Sequence, residues 1–255
     1  MSFSEGIKVI SEPINKLMVP VATSAGETLQ DVWDLVFGGF GTYVDKKRLT
    51  RLKALEEFKA SLEEKIYAIP ENQLQEPALS IVGPALEASK YYFEDKTIRE
   101  MFANLIASSM NCEKSNTTHP CFTGIIQQMT ALDAKNLALF SYGNSEKPIA
   151  EYRIKNSKGF ITVQTNVFIE NSASQNLEQQ SISFSSLSRL GLLSISYETY
   201  LTDTDVYKKF EQTPQYLELV RRYSGSKEMT PDIARGLSSL TPLGEAFTKV
   251  CFSEI

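Results

Sequence analysis

The clearest pattern in the chain lies between residues 46 and 69, where Leu52, Leu55, Phe58, Leu62 and Ile66 recur at steps of three and four and Glu and Lys fill the positions between. That step places side chains on one stripe of a helix, so the segment reads as a single amphipathic helix. Pro70 ends it, because the residue before a proline is pushed out of the helical region. Ile98, Met101, Phe102, Leu105, Ile106 and Met110 repeat the pattern, with Asp95 placed to cap the start. Residues 71–83 between them read as a connector, and Pro84 suits the first turn of a helix reaching about Tyr92. After a polar loop over 111–118, His119-Pro120 opens a short helix with Phe122, Ile125, Ile126 and Met129 inward. Thr130 and Asp133 form a capping box, with Asp in place of Glu, for a helix that carries Leu132, Leu137 and Phe140 and closes at Gly143.

The first 45 residues are less regular. Leu29, Val32, Trp33, Val36 and Phe37 share a helical face that runs into Gly38-Gly39-Phe40-Gly41, where the helix should stop. Before it, Val9, Ile10, Ile14, Leu17 and Met18 keep a helical step that Pro13 and Pro20 interrupt, which predicts short helices.

The period changes after about residue 144. Residues 149–154 and 160–168 are rich in β-branched and aromatic side chains and read as strands joined at Lys158-Gly159. A helix over 176–190 follows, closed by Gly191, then a strand over 192–201. Residues 205–223 read as one helix with Phe210, Leu217 and Val220 inward, and 237–240 as a short strand. Thr241 caps a last helix with Pro242 in its first turn and Leu243, Phe247 and Val250 packed inward. The expected class is α+β and predominantly helical. A helical domain over 1–128 precedes a mixed α/β domain over 129–255 whose helix–strand–strand–helix close resembles a winged helix.

At 255 residues and 42% hydrophobic content the chain can bury a core without metals or disulfide staples. Residues 1–129 carry 13 Lys+Arg against 17 Asp+Glu, and the remainder 13 against 14, so neither half has the basic excess that nucleic-acid binding requires. Cys112, Cys121 and Cys251 are odd in number and fit no zinc spacing, which points to reduced thiols, with a Cys112–Cys121 pair as the minor alternative. The N-terminus lacks a basic start followed by an apolar core, and the longest apolar run, residues 17–22, is far short of the roughly 20 residues that span a bilayer. A cytoplasmic location is expected.

Candidate chemistry is sparse. A nucleophile–histidine site would have to use His119, the one histidine, which precedes Pro120 and fits better as a helix-start residue. No CxxC or HxxxH spacing supports a metal, and the glycine cluster at 38–41 lacks the Gly-Lys-Ser/Thr of a phosphate loop. No catalytic residue, metal or cofactor is therefore expected. The dense basic run Lys46-Lys47-Arg48 with Arg51 and Lys53 follows an apolar aromatic segment, so Trp33, Phe37, Phe40, Lys46, Lys47, Arg48 and Arg51 form a candidate interaction surface for anionic lipid or phosphate. A DNA-reading helix over 176–190 would have Gln175, Gln179 and Gln180 for bases but only Arg189 for phosphates.

Several stretches carry a family likeness: Trp33-Asp-Leu-Val-Phe-Gly-Gly-Phe40, Ile81-Val-Gly-Pro-Ala-Leu-Glu-Ala88, Met101-Phe-Ala-Asn-Leu-Ile-Ala-Ser108 and His119-Pro-Cys-Phe-Thr-Gly-Ile-Ile126, running on through Ala134. In this order they resemble the abortive-infection alpha family of bacterial proteins, most densely over 30–142, with Ser188–Leu193 and Leu240–Phe247 fitting its C-terminal part. Cys121 departs from the pattern, where a small polar residue is expected. The resemblance implies a bacterial, cytoplasmic protein tied to phage defence by host shutdown, and it brings no catalytic residues with it. The resulting expectation is a non-enzymatic component that binds a phage or host protein through its C-terminal domain, with self-association open. A membrane-interface effector using residues 7–40, a DNA-binding regulator and a hydrolase built on His119 are the alternatives.

Overall fold

The structure, a computed structural model, describes residue 17 and residues 24–38, 46–141 and 145–252, with the backbone alone for 46–50. The short helices expected before residue 17, Gly39, Phe40, Gly41 and Gly143 lie outside the described residues. The chain divides into two compact units, one running to Met129 and taking in residues from Ala246 onward, the other spanning Thr130–Glu245.

The helical unit contains α1 (Ser24–Phe37), α2 (Lys46–Tyr67), α3 (Leu79–Ser89), α4 (Lys96–Ser109) and α5 (Cys121–Gln127). The stripe read from α2 is its buried face: Leu55, Phe58, Leu62 and Ile66 are buried and Leu52 half-buried. Helix α4 is buried on every side, for Glu100 is the one residue between Ile98 and Ser109 that is not. Asp95 caps it by accepting from the Thr97 and Ile98 amides. Trp33, Phe37, Phe58 and Phe93 make an aromatic cluster in this core, with Trp33–Phe37 centroids 4.5 Å apart and Phe58–Phe93 centroids 5.6 Å apart.

Two sequence expectations change here. Helix α3 starts at Leu79, so Pro84 sits inside it rather than in its first turn, and it ends at Ser89 rather than near Tyr92. Pro84 and Ser80 are both exposed, so water can satisfy the Ser80 carbonyl that the proline cannot. The last residues of the chain's final helix belong with the helical unit. Asn104 Nδ2 donates to the Cys251 carbonyl at 2.8 Å, Ser108 Oγ to the Val250 carbonyl at 3.4 Å, and Phe247 meets Phe122 edge-on. The final carbonyls of a helix have no intrahelical partner, and these two side chains of α4 supply one.

The mixed unit runs α6 (Ala131–Ser141), β1 (Glu146–Asn156), β2 (Gly159–Val167), α7 (Leu177–Arg189), β3 (Leu193–Ser196), a 3-10 helix (Thr204–Gln212), α8 (Pro214–Tyr223), β4 (Thr230–Leu240) and the first turn of α9 (Pro242–Cys251). The sheet is antiparallel with order β2-β1-β4-β3. The protein is therefore α+β. Helix α7, β3, β4 and α9 do follow one another, but the 3-10 helix and α8 separate β3 from β4, and a long β1–β2 hairpin extends the sheet.

The helix expected over 205–223 is broken. Its first half is 3-10, which puts Tyr207, Phe210 and Thr213 at steps of three along one buried line. Thr213 then caps α8, and Pro214 opens it. Leu217 and Val220, expected inward, are exposed, and Leu219 takes the buried place. Strand β4 begins at Thr230, well before Leu237, because pairing with β1 holds its polar half in the sheet, and β3 stops at Ser196 rather than Leu201.

Tyr152 anchors one face of the sheet: its hydroxyl donates to the Phe210 carbonyl at 2.9 Å and bonds Thr213 Oγ1 at 2.7 Å. Elsewhere in the unit, Asn136 bridges Gln180 and Ser183 and accepts from Asn171 in a buried polar network. Gly191 closes α7 at φ +75°, with the Leu192 amide reaching back to the Leu187 carbonyl.

Candidate interaction surfaces

Of the residues grouped from the sequence as an interaction surface, the side chains of Trp33, Phe37 and Arg51 are described. Trp33 and Phe37 are 0% and 1% exposed, inside the aromatic cluster. Phe40 lies outside the described residues, and Lys46, Lys47 and Arg48 are seen only as the backbone of the first turn of α2. Arg51 is exposed and lines a groove in the helical unit.

That groove encloses about 630 Å³ and is bounded by Arg51, Lys53, Ala54, Glu57, Phe93, Glu94 and Arg99. The α4 stripe buries Arg99 to 5% exposure, where Nη1 donates to the Phe93 carbonyl at 3.0 Å and Nη2 to Glu57 Oε2 at 2.7 Å. Its Nε–H is buried without a partner. Arg51 and Glu94 stand 3.8 Å apart at the solvent edge. Position 99 gives a mixed sequence signal, because its step of three from Phe102 places it on the buried face while an arginine usually reads as solvated.

A second surface was not expected from the sequence. Strand β2 is one of the two edge strands of the sheet, and Phe160, Ile161 and Val163 on it are 53%, 58% and 49% exposed. No residue of β2, from Gly159 to Val167, is charged, and none is proline. Natural edge strands usually carry such residues to discourage pairing with other chains. The Arg153 guanidinium stacks 4.0 Å from the Phe160 ring centre, and the β1–β2 register shifts beyond Thr162. The sequence signal was available as nine consecutive uncharged residues; that they form an edge was not.

His119 accepts the Cys121 amide on Nδ1 at 3.1 Å and packs against Phe122, so it caps the start of α5. Burial raises the Cys121 thiol pKa, and it raises that of fully buried Cys251 further. Among the described residues no cluster of His, Cys, Asp and Glu could hold a metal ion. In α7, Gln180 is an interior residue bonded to Asn136, not a surface group, and Arg189 is the helix's one cation.

A model of the abortive infection alpha family matches the chain over residues 50–251. The chain belongs to that family. Its description gives the protein a role in abortive infection. The abortive infection alpha match covers the groove residues from Arg51 to Arg99 and the whole of β2, while Lys46, Lys47 and Arg48 lie ahead of it. No curated protein and no solved structure matches the chain. Among the described residues, no helix is long and apolar enough to cross a membrane.

Proposed function

We propose that this abortive infection protein works by binding rather than by catalysis, and that its mixed unit recognises an extended segment of a phage or host protein along the outer edge of β2. The observation that carries the reading is an edge strand of nine uncharged residues whose first half is exposed, with Phe160, Ile161 and Val163 open to solvent. An open edge presents a row of backbone donors and acceptors. A partner strand that pairs there gains main-chain hydrogen bonds, and alternate side chains give it selectivity. The strand's own residues carry no charge, and the nearest cations, Lys158 at the hairpin turn and Lys155 and Arg153 on β1, lie beside it.

The test is the double variant Ile161→Lys/Val163→Lys. Both positions are exposed, so the unfolding midpoint should hold while charge blocks pairing. Phage protection in a plaque assay should fall, and a protein cross-linked to the native chain in infected cells should be lost. Full protection by the variant overturns the proposal. Loss of a dimer in sedimentation, with no other captured protein, assigns the edge to a second copy of the chain instead.

A further inference from the structure

We infer that the groove between α2 and α4 binds a phosphate group of a small molecule, held by Arg51, Lys53 and Arg99. Three observations converge there. The first is electrostatic. Residues 46–53 hold five cations, the nearest acids in sequence are Asp45 and Glu56, and no acid occupies the first turn of α2. The amino end of a helix already carries partial positive charge, so cations there are placed against the helix dipole. An anion bound beside Arg51 and Lys53 offsets the mutual repulsion of these crowded cations.

The second is the buried guanidinium. Arg99 lines the groove and uses its two terminal nitrogens on Phe93 and Glu57, yet its buried Nε–H has no acceptor. A buried N–H without a partner is costly, and a phosphate oxygen seated beside it removes the cost. The third is availability. Lys53 makes no hydrogen bond or ion pair among the described residues, and the Arg51–Glu94 contact joins two side chains that are 62% and 74% exposed. An exposed pair of that kind is worth little and gives way readily to a ligand.

The cavity of about 630 Å³ is of the size that encloses small ligands. Three donors from separate side chains suit a tetrahedral, doubly charged group better than a planar carboxylate. An extended nucleic acid fits poorly, since Glu57 and Glu94 share the walls and the whole chain has net charge −5. This site is separate from β2, and neither proposal depends on the other.

The test is calorimetric titration of the full chain with inorganic pyrophosphate at low and high salt. Saturable binding that weakens as salt rises is expected, with a loss of about tenfold or more in Arg51→Ala/Lys53→Ala at an unchanged unfolding midpoint. Arg99→Lys keeps the charge and removes the Nε–H, and should also weaken binding; if it fails to fold, the exposed double variant still decides. Sedimentation with phosphatidic acid vesicles separates the sources of the phosphate. Vesicle binding lost in the double variant assigns a lipid headgroup, whereas pyrophosphate binding without vesicle binding assigns a soluble ligand. No binding of pyrophosphate or vesicles, or binding undiminished in Arg51→Ala/Lys53→Ala, overturns the inference.

Discussion

Glu57 Oε2 meets Arg99 Nη2 at 2.7 Å, joining a glutamate side chain that is 49% exposed to an arginine that is 6% exposed. The pair bridges α2 and α4 and neutralises a cation inside the core of the helical unit. Removing the carboxylate would leave that cation with the Phe93 carbonyl as its one protein acceptor.

Glu57→Ala should therefore lower stability by about 1–2 kcal/mol, less than a fully buried pair would cost because water reaches the glutamate. Urea denaturation at neutral pH measures it. A midpoint equal to that of the native chain would mean that solvent alone can satisfy Arg99.

Stability should fall steeply in alkali. Burial pushes the Tyr152 phenol up to about 12, and Tyr197, Tyr207 and Tyr216 move in the same direction, burial again being the largest cause. A phenol titrates near pH 10 in an unfolded chain. With the folded pKa raised, the contribution is whole below about pH 10 and is lost as pH climbs through about 12. Tyr152→Phe should cost about 1 kcal/mol at neutral pH through its lost hydrogen bonds, and should show a shallower decline over that alkaline window. Fluorescence-detected urea melts from neutral pH upward give both numbers, and parallel curves for the two proteins would contradict the assignment.

Thiol reactivity should divide the cysteines. Cys112 and Cys121 are exposed and Cys251 is buried, with its carbonyl held by Asn104. Ellman's reagent should modify two thiols of the native chain and the third only on unfolding. Peptide mapping after brief alkylation identifies which is spared; early modification of Cys251 would show that the end of α9 leaves the helical unit easily.

Two glycines should respond in opposite directions to alanine. A Cβ on Gly244 would stand 2.1 Å from the Leu192 carbonyl oxygen, in a close backbone approach at the start of α9. Gly244→Ala should destabilise by about 2 kcal/mol or more. Gly124, inside α5, has open space at that position, so Gly124→Ala should stabilise by about 0.5–1 kcal/mol. Thermal melts of the two variants, read against the native chain, test the pair.

Much of the local structure was legible. The α2 and α4 stripes, the Asp95 cap, the Thr130–Asp133 capping box and the Gly191 helix stop all appear where the sequence placed them. Each depends on residues within one or two turns of each other. The polar half of β4 was not legible, because Thr230–Gly236 has no strand pattern of its own and is held by its ladder to β1. The split at residue 213 was half visible in Pro214, but the 3-10 winding before it follows from Tyr207 and Phe210 packing beneath the sheet.

The candidate surfaces show the same division. Trp33 and Phe37 looked as available as Phe160 and Ile161, since all four are large apolar side chains and their local sequence does not say which pack inside. Sequence by itself determined the buried stripes of α2 and α4, several helix caps, that the chain is α+β, and that it belongs with abortive infection proteins. Only the tertiary structure decided that the first pair lies in a core and the second on an open edge, and that Arg99 sits buried beside Arg51 and Lys53. Helical period and capping act over a few residues, whereas burial is set by which distant segments pack together, and no short stretch of chain contains that information.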